Sequence, residues 1–161
     1  MWGFFYGYGR AQEIRGSAGD IDTTSAGARW SHLWSRRGQG PWSGHPAFAL
    51  EVLPLTVFFQ DPVTVAVGFN LLYEHHFTAR GRVLPIWRIG AGALHASRPV
   101  PRGETRTNFS LLTGLALNYL VTERGAFEVE YRFHHVSNAD TGFRNPGINA
   151  HTLLISYTIY R

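Results

Sequence analysis

The stretch Phe127-Glu128-Val129-Glu130-Tyr131-Arg132-Phe133-His134-His135-Val136-Ser137 alternates between two kinds of side chain. Its odd positions are aromatic or aliphatic as far as Phe133 and then become His135 and Ser137, whereas most of its even positions carry charges of both signs. A period of two residues predicts a β-strand with two different faces. Closely mixed charges are typical of a wet barrel lumen, so His135 and Ser137 are predicted on the opposite, apolar face.

His135 and Ser137 have the chemistry of a base beside a nucleophile. An unpartnered hydroxyl on an apolar face costs about 1–3 kcal/mol, so a polar pair there indicates partners or a function. Residues i and i+2 lie about 7 Å apart on one face of a strand, near enough for a leaning imidazole to reach a serine oxygen.

The following segment, Ile148 to Tyr160, continues the alternation, and its apolar face includes Asn149 and His151. If the chain turns near Phe143, these two residues come roughly opposite His135 and Ser137, where cross-strand neighbours are about 4.5–5.5 Å apart. Either Asn149 or His151 is therefore a candidate for a third residue that orients the histidine.

At these residues the chain resembles a known family. His135-x-Ser137-Asn138-Ala139, followed by Asn145-Pro146-Gly147-Ile148-Asn149, is similar to the PagL family of outer-membrane lipid A 3-O-deacylases. The resemblance implies an eight-stranded barrel with the His-x-Ser pair on its membrane-facing surface, Ser137 as nucleophile, His135 as base and the backbone N–H of Asn138 as an oxyanion donor.

One position departs from the family pattern. The third residue of the family's site can be a glutamate, and the aligned residue here is Asn149. An asparagine can orient a histidine by hydrogen bonding, but it cannot stabilise the imidazolium with a charge. The departure predicts either a lower activity or a contribution from His151.

Composition independently favours a membrane barrel. The 161 residues predict one domain spanning positions 1–161, and 14% aromatic with only 16% charged residues is unusual for a soluble protein. No apolar run reaches the roughly 18 residues that a spanning helix needs, so membrane insertion would use strands. The predicted fold class is all-β, an eight-stranded antiparallel transmembrane β-barrel.

The sequence predicts eight strands. Their ranges are Trp2 to Arg10, Ala26 to Ser35, Phe48 to Phe59, Val63 to Tyr73, Val83 to His95, Phe109 to Val121, Phe127 to Ser137 and Ile148 to Tyr160. Pro54 predicts a bulge in the third strand. An even number of strands returns both termini to one side, which is periplasmic in outer-membrane barrels, and this places His135 and Ser137 at the outer-leaflet end.

Several classes of function are disfavoured. There is no cysteine, which removes thiol catalysis, thiolate metal sites and disulfides. The 15 basic and 11 acidic residues include no basic run with interleaved aromatics, so we expect no nucleic-acid partner, whereas anionic lipid headgroups are plausible. Adjacent histidines, as in His75-His76 and His134-His135, point to opposite faces of a strand, so we expect no metal and no cofactor.

The first four residues lack the features of a signal peptide. We expect a mature chain with a start methionine, located in the bacterial outer membrane.

Alternatives stay open at this stage. Four loop arginines can contact lipid A phosphates or simply be solvated: Arg98, Arg102, Arg106 and Arg144. The main functional rival is a non-enzymatic eight-stranded barrel used as an anchor or adhesion surface. A soluble lipocalin-like carrier would instead be apolar inside and polar outside. The sequence leaves the oligomeric state and the acyl-chain preference undetermined.

Overall fold

The computed structural model describes residues 1–14, 16–34 and 40–160, without the side chain of Pro41. The eight strands are β1 (Trp2–Ala11), β2 (Asp22–Leu33), β3 (Gly44–Phe59), β4 (Thr64–Phe77), β5 (Val83–Ala96), β6 (Thr107–Thr122), β7 (Gly125–Ser137) and β8 (Ile148–Ile159). A short 3-10 helix, Gly40–Trp42, precedes β3. Within the described ranges, no helix is long and apolar enough to cross a membrane.

The strands form a closed barrel in chain order, each antiparallel to the next. β1 closes the barrel by pairing with β8, so that Trp2 lies opposite Ile159. Closure leaves no strand edge unpaired, which is the condition for a sheet to sit in a bilayer. The predicted all-β, eight-stranded antiparallel barrel is confirmed.

The outer wall of the barrel is apolar. In β6, alternate side chains from Phe109 to Tyr119 are exposed, and the residues between them are buried. The same alternation runs through β1, β7 and β8. A contiguous apolar surface of this extent is the lipid-facing band of a membrane barrel.

The lumen holds a network of buried charges. Among the described residues, Arg29, Arg88 and Arg132 bind the carboxylates of Glu51, Glu74, Glu128 and Glu130. Each of these side chains is at most 4% exposed. The prediction that Glu128, Glu130 and Arg132 share a lumen network is confirmed. A charged lumen inside an apolar wall is also the reverse of a lipocalin-like carrier.

Several strand ends differ from the sequence prediction. β2 begins at Asp22 instead of Ala26, β3 begins at Gly44 instead of Phe48, and β4 continues to Phe77. The additional residues pair with the neighbouring strand, Asp22 with Phe59 and Gly44 with Phe77. Pairing with a neighbouring strand holds these residues extended although their own side chains do not favour strands.

Other details of the strand prediction are confirmed or lie beyond the structure. The β3–β4 register shifts between Leu53 and Thr56, which confirms the bulge expected at Pro54. Ser35, the predicted end of the second strand, lies outside the described residues, and so do residues 36–39.

The end of the barrel opposite the termini, which we call the loop end, consists of residues 12–14, 16–21, 60–63, 97–106 and 138–147 among those described. Its segments contact one another. The Ala18 N–H donates to the Gly147 carbonyl at 2.9 Å, and Arg144 pairs with Glu104 at 3.6 Å. These contacts hold the 138–147 segment between its neighbours on both sides.

The opposite end carries a ring of aromatic side chains on the outer wall. Trp34 packs edge-on against Phe48 with ring centroids 4.8 Å apart, and Tyr73 packs against Trp87 at 6.1 Å. Trp42 of the 3-10 helix stacks on Phe77. Aromatic girdles of this kind mark the boundary between hydrocarbon and headgroups.

Candidate active site

His135 and Asn149 form a hydrogen-bonded pair on the outer wall. They face each other across the β7–β8 ladder, and the Nδ1 atom of His135 lies 2.8 Å from Oδ1 of Asn149. Both side chains are half-buried. Asn149, one of the two candidates for the orienting residue, is thus the one that lies opposite His135.

This bond sets the tautomer of His135. An amide oxygen only accepts hydrogen bonds, so Nδ1 of His135 carries the proton and donates it to Asn149. The unprotonated ring atom is then Nε2, which keeps its lone pair. His135 is thus held in the form in which Nε2 can accept a proton from a neighbouring hydroxyl.

Ser137 lies on the same outward face two residues beyond His135, at the last position of β7, and is half-buried. No hydrogen bond joins Ser137 to His135 among the described residues. Both side chains nevertheless lie close to Gly147. A Cβ atom built on Gly147 would lie 3.0 Å from Cε1 of His135 and 3.6 Å from Cβ of Ser137. A rotation about the Ser137 Cα–Cβ bond is the motion that would direct its Oγ toward the imidazole.

Gly147 makes this close packing feasible. Its φ is +63°, in the left-handed region, and a Cβ at this position would be in tight contact with Cε1 of His135. Any side chain at this position would be strained and would press on the imidazole.

Asn138 organises the segment that follows Ser137. Its side chain donates to the Arg144 carbonyl at 2.7 Å and accepts from the Asp140 N–H at 3.0 Å. Its carbonyl accepts from the Thr141 N–H at 3.1 Å and from the Thr141 hydroxyl at 2.7 Å. With 2% of its surface exposed, Asn138 is a structural centre of the loop as well as a neighbour of Ser137.

Two backbone N–H groups follow Ser137 directly. The N–H of Asn138, the oxyanion donor that the resemblance implies, donates to Oδ1 of Asn145 at 3.1 Å. The N–H of Ala139 makes no hydrogen bond within the described part of the chain. Ala139 and Asp140 have φ values of +51° and +60°, so the backbone turns sharply immediately after the serine.

His151 is not placed as the sequence predicted. It lies opposite Phe133, two residues before His135, and not opposite Ser137. Its Nδ1 is 2.5 Å from the Tyr131 hydroxyl, and its Nε2 is 3.0 Å from Oε1 of Gln12. Because both ring nitrogens are occupied, His151 does not orient His135 in this structure.

The sequence did not predict that Gln12, the residue directly after β1, would lie beside the site. Gln12 reaches His151 across the barrel seam, and its N–H donates to the Asn149 carbonyl at 2.8 Å. The pairing of the first and last strands of a closed barrel is the only signal that could have placed Gln12 here. In the described residues, no group of three or more His, Cys, Asp or Glu side chains is arranged to hold a metal ion.

The sequence that builds this site matches a known protein family. The family model described as lipid A 3-O-deacylase (PagL) matches residues 21–158, which include His135, Ser137, Asn138 and Asn149. The chain belongs to the PagL family. A search of curated protein sequences finds no significant match.

Solved structures share the barrel fold of this PagL-family chain. The crystal structure of the outer membrane enzyme PagL superposes with a TM-score of 0.72 at 16% sequence identity, covering 96% of this chain and 97% of that one. Neisserial surface protein A (NspA) superposes with a TM-score of 0.62 at 12% identity, covering 99% and 96% respectively. These likenesses show the fold, a closed eight-stranded β-barrel.

Proposed function

We propose that this PagL-family protein is an outer-membrane esterase that removes the 3-O-linked acyl chain of lipid A. The observation that carries the proposal is the His135–Asn149 hydrogen bond on the lipid-facing wall, which leaves Nε2 of His135 as a base beside Ser137. A hydrogen-bonded imidazole beside a serine is unusual on a wall whose outward residues are mostly apolar. The family match to lipid A 3-O-deacylases supports the same reaction.

The position of the pair suits a lipid substrate. Both residues lie near the loop end of β7, opposite the end that carries the chain termini. In outer-membrane barrels the termini are periplasmic, so the loop end lies in the outer leaflet. Lipid A occupies that leaflet, and its acyl chains can reach the wall without leaving the bilayer.

The first half of the reaction acylates the serine. Nε2 of His135 accepts the Ser137 hydroxyl proton while Oγ attacks the ester carbonyl carbon, because serine is too weakly acidic to react alone. The carbonyl oxygen becomes an oxyanion. Its donors are the N–H of Ala139 and the N–H of Asn138, from which the oxyanion would displace Oδ1 of Asn145.

Collapse of this intermediate breaks the bond between the acyl carbon and the sugar 3-oxygen. The His135 imidazolium returns its proton to that oxygen, which leaves as a hydroxyl group. A water molecule then attacks the acyl-enzyme with His135 again as base. The bond between the acyl carbon and Oγ of Ser137 breaks as the imidazolium returns its proton to Oγ, and the fatty acid leaves as a carboxylic acid. Asn149 holds the ring in the same orientation through both steps.

The rival function is a non-enzymatic barrel that serves as an anchor or adhesion surface. Two observations favour it: His135 and Ser137 are not hydrogen-bonded in this structure, and NspA shares the barrel. This function predicts that Ser137 can be replaced without any change in lipid A.

Mass spectrometry of lipid A separates the two functions. The refolded protein is incubated with lipid A in parallel with Ser137→Ala and with Thr113→Ala, a matched loss of an outward hydroxyl on β6 opposite Phe133. The esterase predicts loss of one 3-O-acyl group with the parent and Thr113→Ala, and intact lipid A with Ser137→Ala. Intact lipid A in all three, with heat-modifiable gel migration showing folded barrels, would establish the non-enzymatic function.

A further inference from the structure

Polar side chains continue along the outer wall beyond His135 and Asn149, onto β8, β1 and β2. We call this group the seam patch; it consists of Arg10, Gln12, Asp22, Tyr131 and His151. Lower on the same strands the outward residues are apolar or aromatic, as in Phe4, Val129 and Ile155. The seam patch therefore interrupts a surface that otherwise contacts hydrocarbon.

Hydrogen bonds give the centre of the seam patch a fixed shape. The amide oxygen of Gln12 can only accept, so Nε2 of His151 donates to it, and Nδ1 of His151 then accepts from the Tyr131 hydroxyl. The His151 ring also stacks on Tyr131 with centroids 5.9 Å apart and packs edge-on against Phe133 at 5.4 Å. Tyr131 and His151 are thus positioning residues that hold Gln12.

Arg10 supplies an exposed positive charge beside this chain of bonds. It lies opposite His151 in the β1–β8 ladder, and its side chain is 76% exposed. Its ion pair within the described residues is a 3.9 Å contact with Asp22, which is longer than a hydrogen bond, and Asp22 also accepts from the Tyr8 hydroxyl at 2.5 Å. A guanidinium has five N–H donors in a planar fork that matches a phosphate group.

The seam patch lies within reach of a substrate bound at Ser137. Arg10, His151 and Phe133 occupy one row across β1, β8 and β7. Two strand spacings separate β7 from β1, a lateral distance of about 10 Å. Ser137 lies four residues beyond Phe133 on β7, about 13 Å farther along the strand, so Arg10 and Ser137 are about 17 Å apart. One lipid A molecule, with a phosphorylated disaccharide head, is large enough to contact both places.

We propose that the seam patch binds the phosphorylated glucosamine head of lipid A, with Arg10 on a phosphate and the Gln12 amide N–H groups on neighbouring oxygens. This inference rests on the proposed function, which supplies lipid A as the substrate. Arg10 and Gln12 precede residues 21–158, the span that the family model matches, whereas Asp22, Tyr131 and His151 lie within it. The role of the seam patch is to bind the head group of the lipid A molecule whose 3-O-ester reacts at Ser137.

Binding of lipid A to the Ser137→Ala protein tests the patch without any hydrolysis. Dissociation constants are measured in detergent micelles for bisphosphorylated lipid A and for lipid A without phosphates, by native mass spectrometry. Arg10→Gln is expected to weaken binding of the phosphorylated form about tenfold, which corresponds to 1.4 kcal/mol, and to leave the phosphate-free form unchanged. Arg10→Lys keeps the charge and is expected to stay within about threefold of the parent. Arg124→Gln, an exposed arginine in the β6–β7 turn at the other end of the barrel, is the matched control.

Other outcomes overturn the inference. Equal binding by the parent and Arg10→Gln, or an equal loss with both forms of lipid A, would show that Arg10 does not contact a phosphate. A loss with Arg106→Gln and none with Arg10→Gln would assign the phosphates to the loop arginines. Complete displacement of lipid A by equimolar phosphatidylglycerol would show a general preference for anionic lipids.

Kinetics on the active protein distinguish the patch from the reaction itself. Arg10→Gln is expected to raise KM for lipid A about tenfold with kcat unchanged, since the interaction is made equally in the ground state and the transition state. If the parent binds phosphorylated lipid A through Arg10 and hydrolyses none, the proposed function fails and the binding site stands.

Discussion

Replacing Asn149 tests how His135 is activated. In the resting structure Asn149 accepts a hydrogen bond from neutral His135 at 2.8 Å. When His135 takes the Ser137 proton, the same bond becomes charge-assisted. A neutral hydrogen bond contributes about 0.5–1.5 kcal/mol and a charged one about 1.5–3 kcal/mol, so the bond strengthens by about 1–1.5 kcal/mol as the reaction proceeds. Only this increment accelerates the chemical step.

Asn149→Leu removes the acceptor at nearly constant size and is expected to lower kcat about tenfold, the factor that 1.36 kcal/mol represents. Asn149→Asp keeps the acceptor and adds a negative charge beside the developing imidazolium, so it is expected to raise kcat by a similar factor. The assay is initial-rate release of fatty acid from saturating lipid A in mixed micelles. Thr113→Ala, a change of an outward residue on β6, serves as the control for handling and refolding.

The two variants must move in opposite directions. Equal kcat for Asn149→Leu and the parent, in barrels that refold fully, would refute an orienting role for Asn149. A loss in Asn149→Asp as large as in Asn149→Leu would show that the charge of the third residue is irrelevant to this site.

Two further substitutions test the supporting structure. Gly147→Ala places a methyl group 3.0 Å from Cε1 of His135 at a φ of +63°, so it is expected to lower kcat at least tenfold and stability by about 1–2 kcal/mol; unchanged kcat would contradict the close packing of the ring. Arg88→Met leaves three buried carboxylates short of a partner and is expected to lower the free energy of unfolding by about 3–5 kcal/mol in a urea titration in vesicles. The neighbouring outward change Ile89→Met is expected to have little effect, and equal midpoints for the two would contradict the network's role.

Alternation along β7 and β8 was enough to predict membrane strands and to place His135, Ser137 and Asn149 on their outward face. The switch from hydrophobic residues to His135 on the outward face, with charges on the other face, fixes which side chains face lipid. A period of two fixes the face on which each residue lies, and a turn near Phe143 was sufficient to bring Asn149 close to His135 and Ser137 but not to fix the register that pairs it with His135. Local pattern and short-range pairing determine these features.

Long-range contacts determine the rest. Gln12 meets His151 and Asn149 because the barrel closes, and the Ala18 N–H fixes the Gly147 carbonyl from the other end of the chain. The bond between the Asn138 N–H and Asn145 depends on the path of the whole 138–147 loop. None of these contacts can be read from the two-residue period. The sequence therefore indicated the residues of the loop but not their hydrogen-bond partners.

The same distinction explains the strand ends. Gly44, His45 and Pro46 have no strand pattern of their own, and they are extended because β4 continues to Phe77 beside them. The outward position of His151 was predicted correctly from parity, and its proposed neighbour was wrong because the register pairs it with Phe133.

Trapping the acyl-enzyme tests the central claim most directly, because it asks whether Ser137 itself becomes esterified. The protein is mixed with lipid A, quenched in acid within the first turnover, digested and examined by mass spectrometry for a peptide that has gained the acyl mass. We expect the adduct on Ser137 in the parent and no adduct in Ser137→Ala. Release of the 3-O-acyl group by Ser137→Ala, or turnover by the parent with the adduct on another residue, would contradict it.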